Sequence, residues 1–265
     1  MTEPTKLGGE TISVTCRICG KAAEVAQVSR LLPLPREGLI CPGCQQAQER
    51  RADEERQQQV LAGIRADLPG VLAKIGVPAR WRLASFAETP DLPARLVETV
   101  RSFAEAPEGM LFLYGPPGCG KTYLAAASLR HVLEAGLLEP AGCRFVSERD
   151  YLDGLKQAMD RAAGPTSARS LPAMDPRRAR LLIYDDLASS RLTDWARGEV
   201  AGLVEARHAE ALPTIVTSNL GPDELARELD PRVASRIAET RLMLQFPRDR
   251  DLRVSGSIRP RFTLF

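Results

Sequence analysis

The chain has 265 residues, enough for one large domain or for a medium domain plus a small module. Its apolar fraction, 44%, is ordinary for a globular protein, and a net charge of +2 does not announce nucleic-acid binding, so any such surface has to be local. No run of about eighteen apolar residues exists and Met1 to Glu10 lacks an apolar signal region, so no membrane span is predicted and a cytoplasmic protein with reduced cysteines is expected.

From the N-terminus, Cys16-Arg17-Ile18-Cys19 and Cys41-Pro42-Gly43-Cys44 form two C-x-x-C pairs with twenty-one residues between them. This is close to the spacing of a four-thiolate zinc site. Each pair is expected in a tight turn, with Gly20 and Pro42-Gly43 supplying bend and backbone freedom. A redox C-x-x-C stands alone at the start of a helix beside a strand, so two pairs favour metal. Four thiolates leave no open position, which makes Zn²⁺ structural here. A segment this small depends on the metal for much of its folding free energy. Residues 22–30 are expected to form a short strand or hairpin, and residues 1–50 a zinc-binding domain. Cys143 is expected to serve packing, as is Cys119, which occupies a variable position of the loop described below.

Residues 45–65 are rich in Gln, Glu, Arg and Ala, and opposite charges at helical spacing predict a solvated helix, read as a spacer. Leu68-Pro69-Gly70 is expected to break it, so that residues 51–75 form a linker and a second domain spans 76–265. In that domain the pattern predicts a strand at Met110–Tyr114, a helix at Tyr123–Leu133, a strand at Arg144–Val146 and a helix at Glu148–Asp160. A Gly-, Pro-, Ser- and Ala-rich loop covers 162–176. A strand at Leu181–Tyr184 ends in Asp185-Asp186, followed by a helix at Asp194–Ala209, a strand at Pro213–Thr217, short helices at Pro222–Leu229 and Arg232–Glu239, and a last strand at Leu242–Leu244. Apolar strands alternating with helices predict an α/β fold, a parallel sheet flanked by helices, with the ligand at the carboxyl ends of the strands.

Gly115-Pro116-Pro117-Gly118-Cys119-Gly120-Lys121-Thr122 fits the phosphate-binding loop G-x-x-x-x-G-K-[ST], between a predicted strand and a predicted helix as that motif requires. The glycines let backbone N–H groups close round phosphates, and the helix start adds positive potential. Lys121 would reach the β- and γ-phosphates of ATP, Thr122 would hold Mg²⁺, and Tyr123 continues the nucleotide-binding run. Asp185 is the expected second Mg²⁺ residue, and Asp186 a base for the attacking water. Asn219, at the end of Thr217-Ser218-Asn219, either contacts that water or merely turns the chain. Arg232 and Arg236 share one helical face, which by spacing alone is better explained by solvation than by a neighbour's γ-phosphate.

Taken together, the chain resembles the DnaC/IstB group of AAA+ ATPases, which holds helicase loaders and transposase helper ATPases. The likeness covers residues 75–246 and is carried by Val77–Arg82, the phosphate loop, Leu181–Asp186, Leu212–Leu220 and Arg232–Ile237. It implies a P-loop fold with a reduced lid, and no sensor 2 arginine is evident. Asn219 is placed as sensor 1, Arg236 as an arginine finger acting on an adjacent subunit, and Arg80 and Trp81 near the adenine. It also implies self-association into a ring or spiral and contact with single-stranded DNA. Residues 147–161 fall at a DNA-contacting element, where Arg149, Lys156 and Arg161 are either phosphate partners or a solvated face. The chain departs from the group in having Asp186 where glutamate is usual, which bears on hydrolysis rate. The basic stretch 248–261 is a tail or a partner contact. Because the cysteine module resembles the N-terminal domain of DnaI-type loaders, the leading expectation is a loader that grips a hexameric, DnaB-like replicative helicase. The alternatives are a transposase helper acting on target DNA and a nucleotide-dependent scaffold without turnover.

Overall fold

In a computed structural model, residues 11–26, 39–162, 175–189, 191–240, 242–247 and 252 are described. The chain divides into two units, Met1–Gly63 and Ile64–Phe265.

The first unit holds an antiparallel pair, β1 (Thr11–Thr15) and β2 (Ala22–Ala26). The strand expected at 22–30 is therefore β2 up to Ala26, and its partner precedes the first cysteine pair; residues 27–30 lie outside the described residues. The turn joining the strands carries Cys16 and Cys19. It is closed by the Cys16 amide on the Lys21 carbonyl and the Gly20 amide on the Cys16 carbonyl, both 2.9 Å. The second pair differs from expectation. Rather than forming a free-standing turn, it opens helix α1 (Pro42–Ala66), with the Gln45 amide bonded to the Cys41 carbonyl. Proline suits the first helical position, where an N–H would have no partner and φ is already helical. Ile64 is the one buried residue along α1, as a charge-rich solvated helix requires.

Helix α1 ends at Ala66, just ahead of Leu68-Pro69-Gly70 as expected of a breaker, but that run does not stay irregular. It starts α2 (Leu68–Lys74), with Pro69 in the first turn and the Asp67 carboxylate accepting the Gly70 amide at 3.0 Å. Leu68, Leu72, Ile75 and Val77 are buried with Ile64 in one apolar cluster. The core of the second unit thus draws on residues ahead of Gly76, where the sequence pattern had suggested it begins.

The rest of that unit comprises α3 (Ala94–Glu105), β3 (Met110–Tyr114), α4 (Lys121–Glu134), β4 (Cys143–Ser147), α5 (Glu148–Ala162), β5 (Leu181–Leu187), α6 (Asp194–Ala209), β6 (Thr214–Ser218), α7 (Pro222–Glu228), α8 (Pro231–Ala238) and β7 (Leu242–Gln245). Five strands form one parallel sheet in the order β4-β5-β6-β3-β7. Strand periodicity sorts the core. Leu111, Leu113, Leu181, Ile183 and Ile215 face the cluster built with α2, α3 and α4. Met110, Phe112, Leu182, Tyr184 and Val216 face the cluster built with α5 to α8. Helices therefore cover both faces, as near-continuous apolar strands demand. Helix α3 was not anticipated; its buried Val100, Phe103 and Ala104 recur at helical spacing. Strand β5 runs past Tyr184 through both aspartates to Leu187, and its register with β6 shifts between Tyr184 and Leu187. Among the described residues no helix is long and apolar enough to cross a membrane. Residues 163–174 of the predicted loop, the side chain of Arg161 and the arginines of the 248–261 stretch lie outside the described residues.

One buried cation ties this architecture together. Arg207 of α6 is 1% exposed. Its guanidinium donates to Thr214 Oγ1 (2.8 Å) and to the carbonyls of Pro176 (2.8 Å), Ala179 (2.8 Å) and Pro213 (2.6 Å). These acceptors flank the amino ends of β5 and β6. Burial lowers its pKa to about 10, still well above neutrality. A planar fork can satisfy several carbonyls at fixed angles, which an ammonium cannot. Arg207→Met is expected to cost about 3 kcal/mol by leaving buried carbonyls unpaired. The denaturant midpoint should fall at constant slope, and Arg207→Lys should recover less than half of the loss.

Candidate functional site

The loop from Gly115 to Gly120 leaves the carboxyl end of β3 and enters α4. A side chain at Gly115 would meet the Cβ and carbonyl oxygen of Phe246 at 3.0 Å, so glycine is required for this close approach. Gly120 has φ +98°, in the left-handed region, and stands directly before Lys121. No side chain caps α4. Its first-turn amides are thus left to an anion, as at any uncapped helix start. Lys121 is buried, and its ammonium donates to the carbonyls of Gly115 (2.7 Å) and Pro116 (2.8 Å) and to Asn219 Oδ1 (3.0 Å). Desolvation lowers its pKa. Reaching a phosphate exchanges these neutral acceptors for charged ones, which a desolvated ammonium favours. Cys119 is buried with its sulfur 3.6 Å from the same ammonium, in keeping with the packing expected of it.

Opposite the loop stand the two aspartates. Asp185 Oδ1 accepts from Thr122 Oγ1 (2.9 Å) and from Thr217 Oγ1 (2.7 Å). Burial, opposed by the Thr217 hydrogen bond and reinforced by the charge of Asp186, raises its pKa to about 6. A hydroxyl beside a buried carboxylate is a hard-oxygen pair that suits Mg²⁺, and a dication there would reverse the shift. The register shift ahead of Leu187 turns Asp186 away from its neighbour, with φ +61°. Its amide donates to Thr217 Oγ1 at 3.0 Å. Thr217 thus touches both aspartates. It was read only as part of a strand-end run, and its position facing β5 is what marks it.

Asp186 and Asn219 line a cleft of about 220 Å³ together with Pro117, Gly118, Gly120, Lys121, Thr122, Tyr123, Arg80 and Trp81. The structure therefore brings together residues predicted from four separate stretches of sequence. Arg80 and Trp81 arrive on a single 3₁₀ turn, Ala79–Trp81. The Arg80 guanidinium lies 4.8 Å from the Trp81 ring centroid. Tyr123 meets that ring edge-on at 6.3 Å, and its hydroxyl is tied to the Ser85 backbone. Trp81 is buried, and its indole N–H has no hydrogen-bond partner among the described residues. Arg236 does not line the cleft. It is 43% exposed on α8 and paired with both Glu239 oxygens, at 2.9 and 3.1 Å. Arg232 pairs with Asp230 (3.1 Å) and Glu205 (3.8 Å) instead. Arg149 pairs with Asp153 (3.8 Å), and Lys156 lies 5.9 Å from the Trp195 ring centroid. A larger cavity of about 720 Å³ sits at the amino end of β3, lined by Phe103, Glu108, Met110, His208 and Glu239 among others. It contains no phosphate-loop residue and lies at the edge of a parallel sheet opposite to where ligands bind.

In the first unit, the sulfurs of Cys16, Cys19, Cys41 and Cys44 all lie within 4.8 Å of one another. Bonds of about 2.3 Å to a tetrahedral zinc put thiolates about 3.8 Å apart, and Cys19 and Cys41 Sγ are separated by 3.8 Å. The amides of Cys41 and Ile18 both donate to Cys16 Sγ at 3.4 Å. The Cys41 amide above all holds the Cys16 thiol down at about 6, whereas hydrogen bonding to Cys41 first, then Cys19, pushes Cys44 up to about 12. Such opposed shifts belong to sulfurs too close to ionise together, and a bound dication removes the conflict. The donor set fits a small zinc-binding domain.

A phosphate loop between strand and helix, with an acidic strand end beside it, defines an α/β P-loop nucleotide-binding protein of the AAA+ type. The family described as IstB-like ATP binding protein matches residues 65–243, and the chain belongs to that family. It is 28% identical over 213 residues to the replicative helicase loader DnaI of Bacillus subtilis (strain 168); the match covers 75% of this chain and 63% of that relative, less than two thirds of its length. The crystal structure of the DnaC helicase loader is similar with a TM-score of 0.55 and 27% identity, covering 63% of this chain and 98% of that one. Domain III of the Thermotoga maritima replication initiation protein DnaA shares the fold, with a TM-score of 0.53 at 19% identity over 65% of this chain and 70% of that one.

Cys16→Ser is expected to lower zinc from about one ion per chain to a small fraction of that, because a structural site needs all four thiolates. Metal analysis of protein purified without added zinc checks this; unchanged content would contradict the assignment.

Proposed function

We propose that this protein is an ATP-dependent loader of a replicative DNA helicase onto single-stranded DNA, acting in the cytoplasm. Its zinc-binding domain grips a hexameric, DnaB-like helicase, and its AAA+ unit assembles with copies of itself. The observation that carries the reading is the four-cysteine cluster on the same chain as an IstB-like nucleotide unit. A closed metal site does no chemistry, so it serves to present a surface to a partner. Similarity to a helicase loader over most of the chain supports the choice of partner.

In this reading ATP lies on the phosphate loop, with Lys121 at its terminal phosphates and Mg²⁺ held by Thr122 and Asp185. Asp186 aligns the attacking water, Asn219 reports the γ-phosphate through Lys121, and Arg80 and Trp81 meet the base. Arg236 acts on the nucleotide of the adjacent subunit, which agrees with its absence from the cleft of its own chain. Aspartate is one methylene shorter than glutamate, so Asp186 reaches the water poorly and turnover is slow. The family description favours one other reading, a transposase helper acting on duplex target DNA.

Capture experiments against purified replicative helicase and against transposase separate the two. The wild type is expected to retain the helicase, and Cys16→Ser to lose it while binding ATP normally. Retention of transposase alone, with a preference for duplex DNA, would replace the loader reading by the helper.

Turnover tests the nucleotide site. Lys121→Ala and Arg236→Ala should each lower ATPase activity by at least about a hundredfold. Mixing the two should restore part of it, because each variant supplies what the other lacks across a shared interface. Asp186→Glu should raise kcat severalfold; an unchanged or lower rate would remove the short-carboxylate explanation, and failure of the mixture would remove action in trans.

A further inference from the structure

Glu148 stands outside every role assigned so far. It is the first residue of α5, directly after the apolar strand β4, and only 1% exposed. It does not serve as the helix cap. Ser147 Oγ accepts the Asp150 amide at 3.1 Å and donates to the Asp150 carboxylate at 2.7 Å, so that pair closes the start of α5. Among the described residues no lysine or arginine pairs with Glu148. Its carboxylate instead crosses to the end of β5, where Oε2 accepts the Ala188 amide at 2.8 Å. A buried carboxylate with no counter-charge is costly: burial raises its pKa to about 7 against the lowering effect of the Ala188 and Ser189 amides, with a smaller rise from the charge of Asp186.

The backbone it reaches is strained. Asp186 and Ala188 have φ +61° and +56°, values that side chains other than glycine rarely adopt. Three side chains hold this stretch. Thr217 Oγ1 accepts the Asp186 amide (3.0 Å), Ser218 Oγ donates to the Leu187 carbonyl (2.7 Å), and Glu148 accepts the Ala188 amide. Two of these come from β6 and are neutral hydroxyls. The third, Glu148, opens α5 directly after β4, the other neighbour of β5, and is the one carboxyl among them. Strain of this kind persists only where its surroundings over-determine it.

We propose that Glu148 is a positioning residue: by anchoring the Ala188 amide it fixes the left-handed turn that points Asp186 into the phosphate cleft. The inference rests on the reading of Asp186 as the residue that aligns the attacking water. Glu148 does not line the phosphate cleft. Its removal therefore affects the orientation of Asp186 and leaves the phosphate loop as it is.

Two variants test this on the full chain, Glu148→Ala and Glu148→Gln. Glutamine keeps an oxygen that accepts the Ala188 N–H, and alanine does not. Glu148→Ala should lower kcat at least about tenfold with KM for ATP within about twofold of wild type, and Glu148→Gln should stay within about threefold of wild type in kcat. In the absence of nucleotide, amide exchange at Ala188 should quicken in Glu148→Ala and stay near the wild-type rate in Glu148→Gln. An unchanged kcat in Glu148→Ala would overturn the proposal. So would parallel loss of kcat, ATP affinity and thermal midpoint in both variants, which marks a residue that only supports the fold. If the wild type binds ATP and hydrolyses none, the reading of Asp186 fails and amide exchange alone decides about Glu148: an unchanged Ala188 rate in Glu148→Ala overturns the anchoring.

Discussion

The break in register where β5 leaves its ladder with β6 is the constraint on which the nucleotide site depends. Up to Tyr184 the strand obeys the two-residue period of a sheet buried on both faces. Had the period continued, Asp185 and Asp186 would have pointed to opposite apolar layers. The shift separates them differently. Asp185 stays inside, against the hydroxyls of Thr122 and Thr217, and Asp186 turns to the cleft through a left-handed conformation. One irregularity thus leaves one carboxylate among interior hydroxyls and sets the next at the cleft.

Both units of the chain use the same electrostatic device. Each gathers side chains whose charges oppose one another at short range and leaves the conflict to a cation. In the cysteine cluster the conflict is among four sulfurs, one held down and one pushed up. In the nucleotide cleft it falls on Asp185, whose carboxyl is pushed up by burial first and by the charge of Asp186 as well, beside a buried lysine. A site arranged in this way is stabilised by its ligand, so binding and order are linked. Arg207 is the contrasting case. Its guanidinium is bonded to backbone carbonyls and a hydroxyl, with the charge of Asp175 acting on it as well, and it asks for no ligand.

Most of the α/β unit was legible from the sequence. The apolar runs at 110–114, 181–184 and 213–217 became central strands, and the predicted helix at Asp194–Ala209 has those bounds. The signals were local: periodicity, glycine spacing and runs long enough to be unambiguous. What the local pattern misjudged was continuity. Helix α1 does end ahead of Pro69, yet Pro69 also stands in the first turn of a new helix, because a cap at Asp67 supplies its start. The second cysteine pair looked like a turn and proved to be a helix start, with Pro42 in the first position. Helix α3 escaped notice because its apolar stripe is short and visible only once it has a sheet to cover.

By itself the sequence determined which atoms are available: four thiols in two close pairs, a glycine loop ending in Lys121 and Thr122, two aspartates at a strand end, and Asn219 after an apolar run. Covalent spacing restricts such groups enough to name their chemistry. Only the tertiary structure decided which of them meet. It set Thr217 between the aspartates, kept Arg236 out of its own cleft, and buried Glu148 behind Asp186. Those outcomes follow from strand order and from one shift of register, which depend on contacts between residues distant in the chain and leave no mark in any short stretch of it.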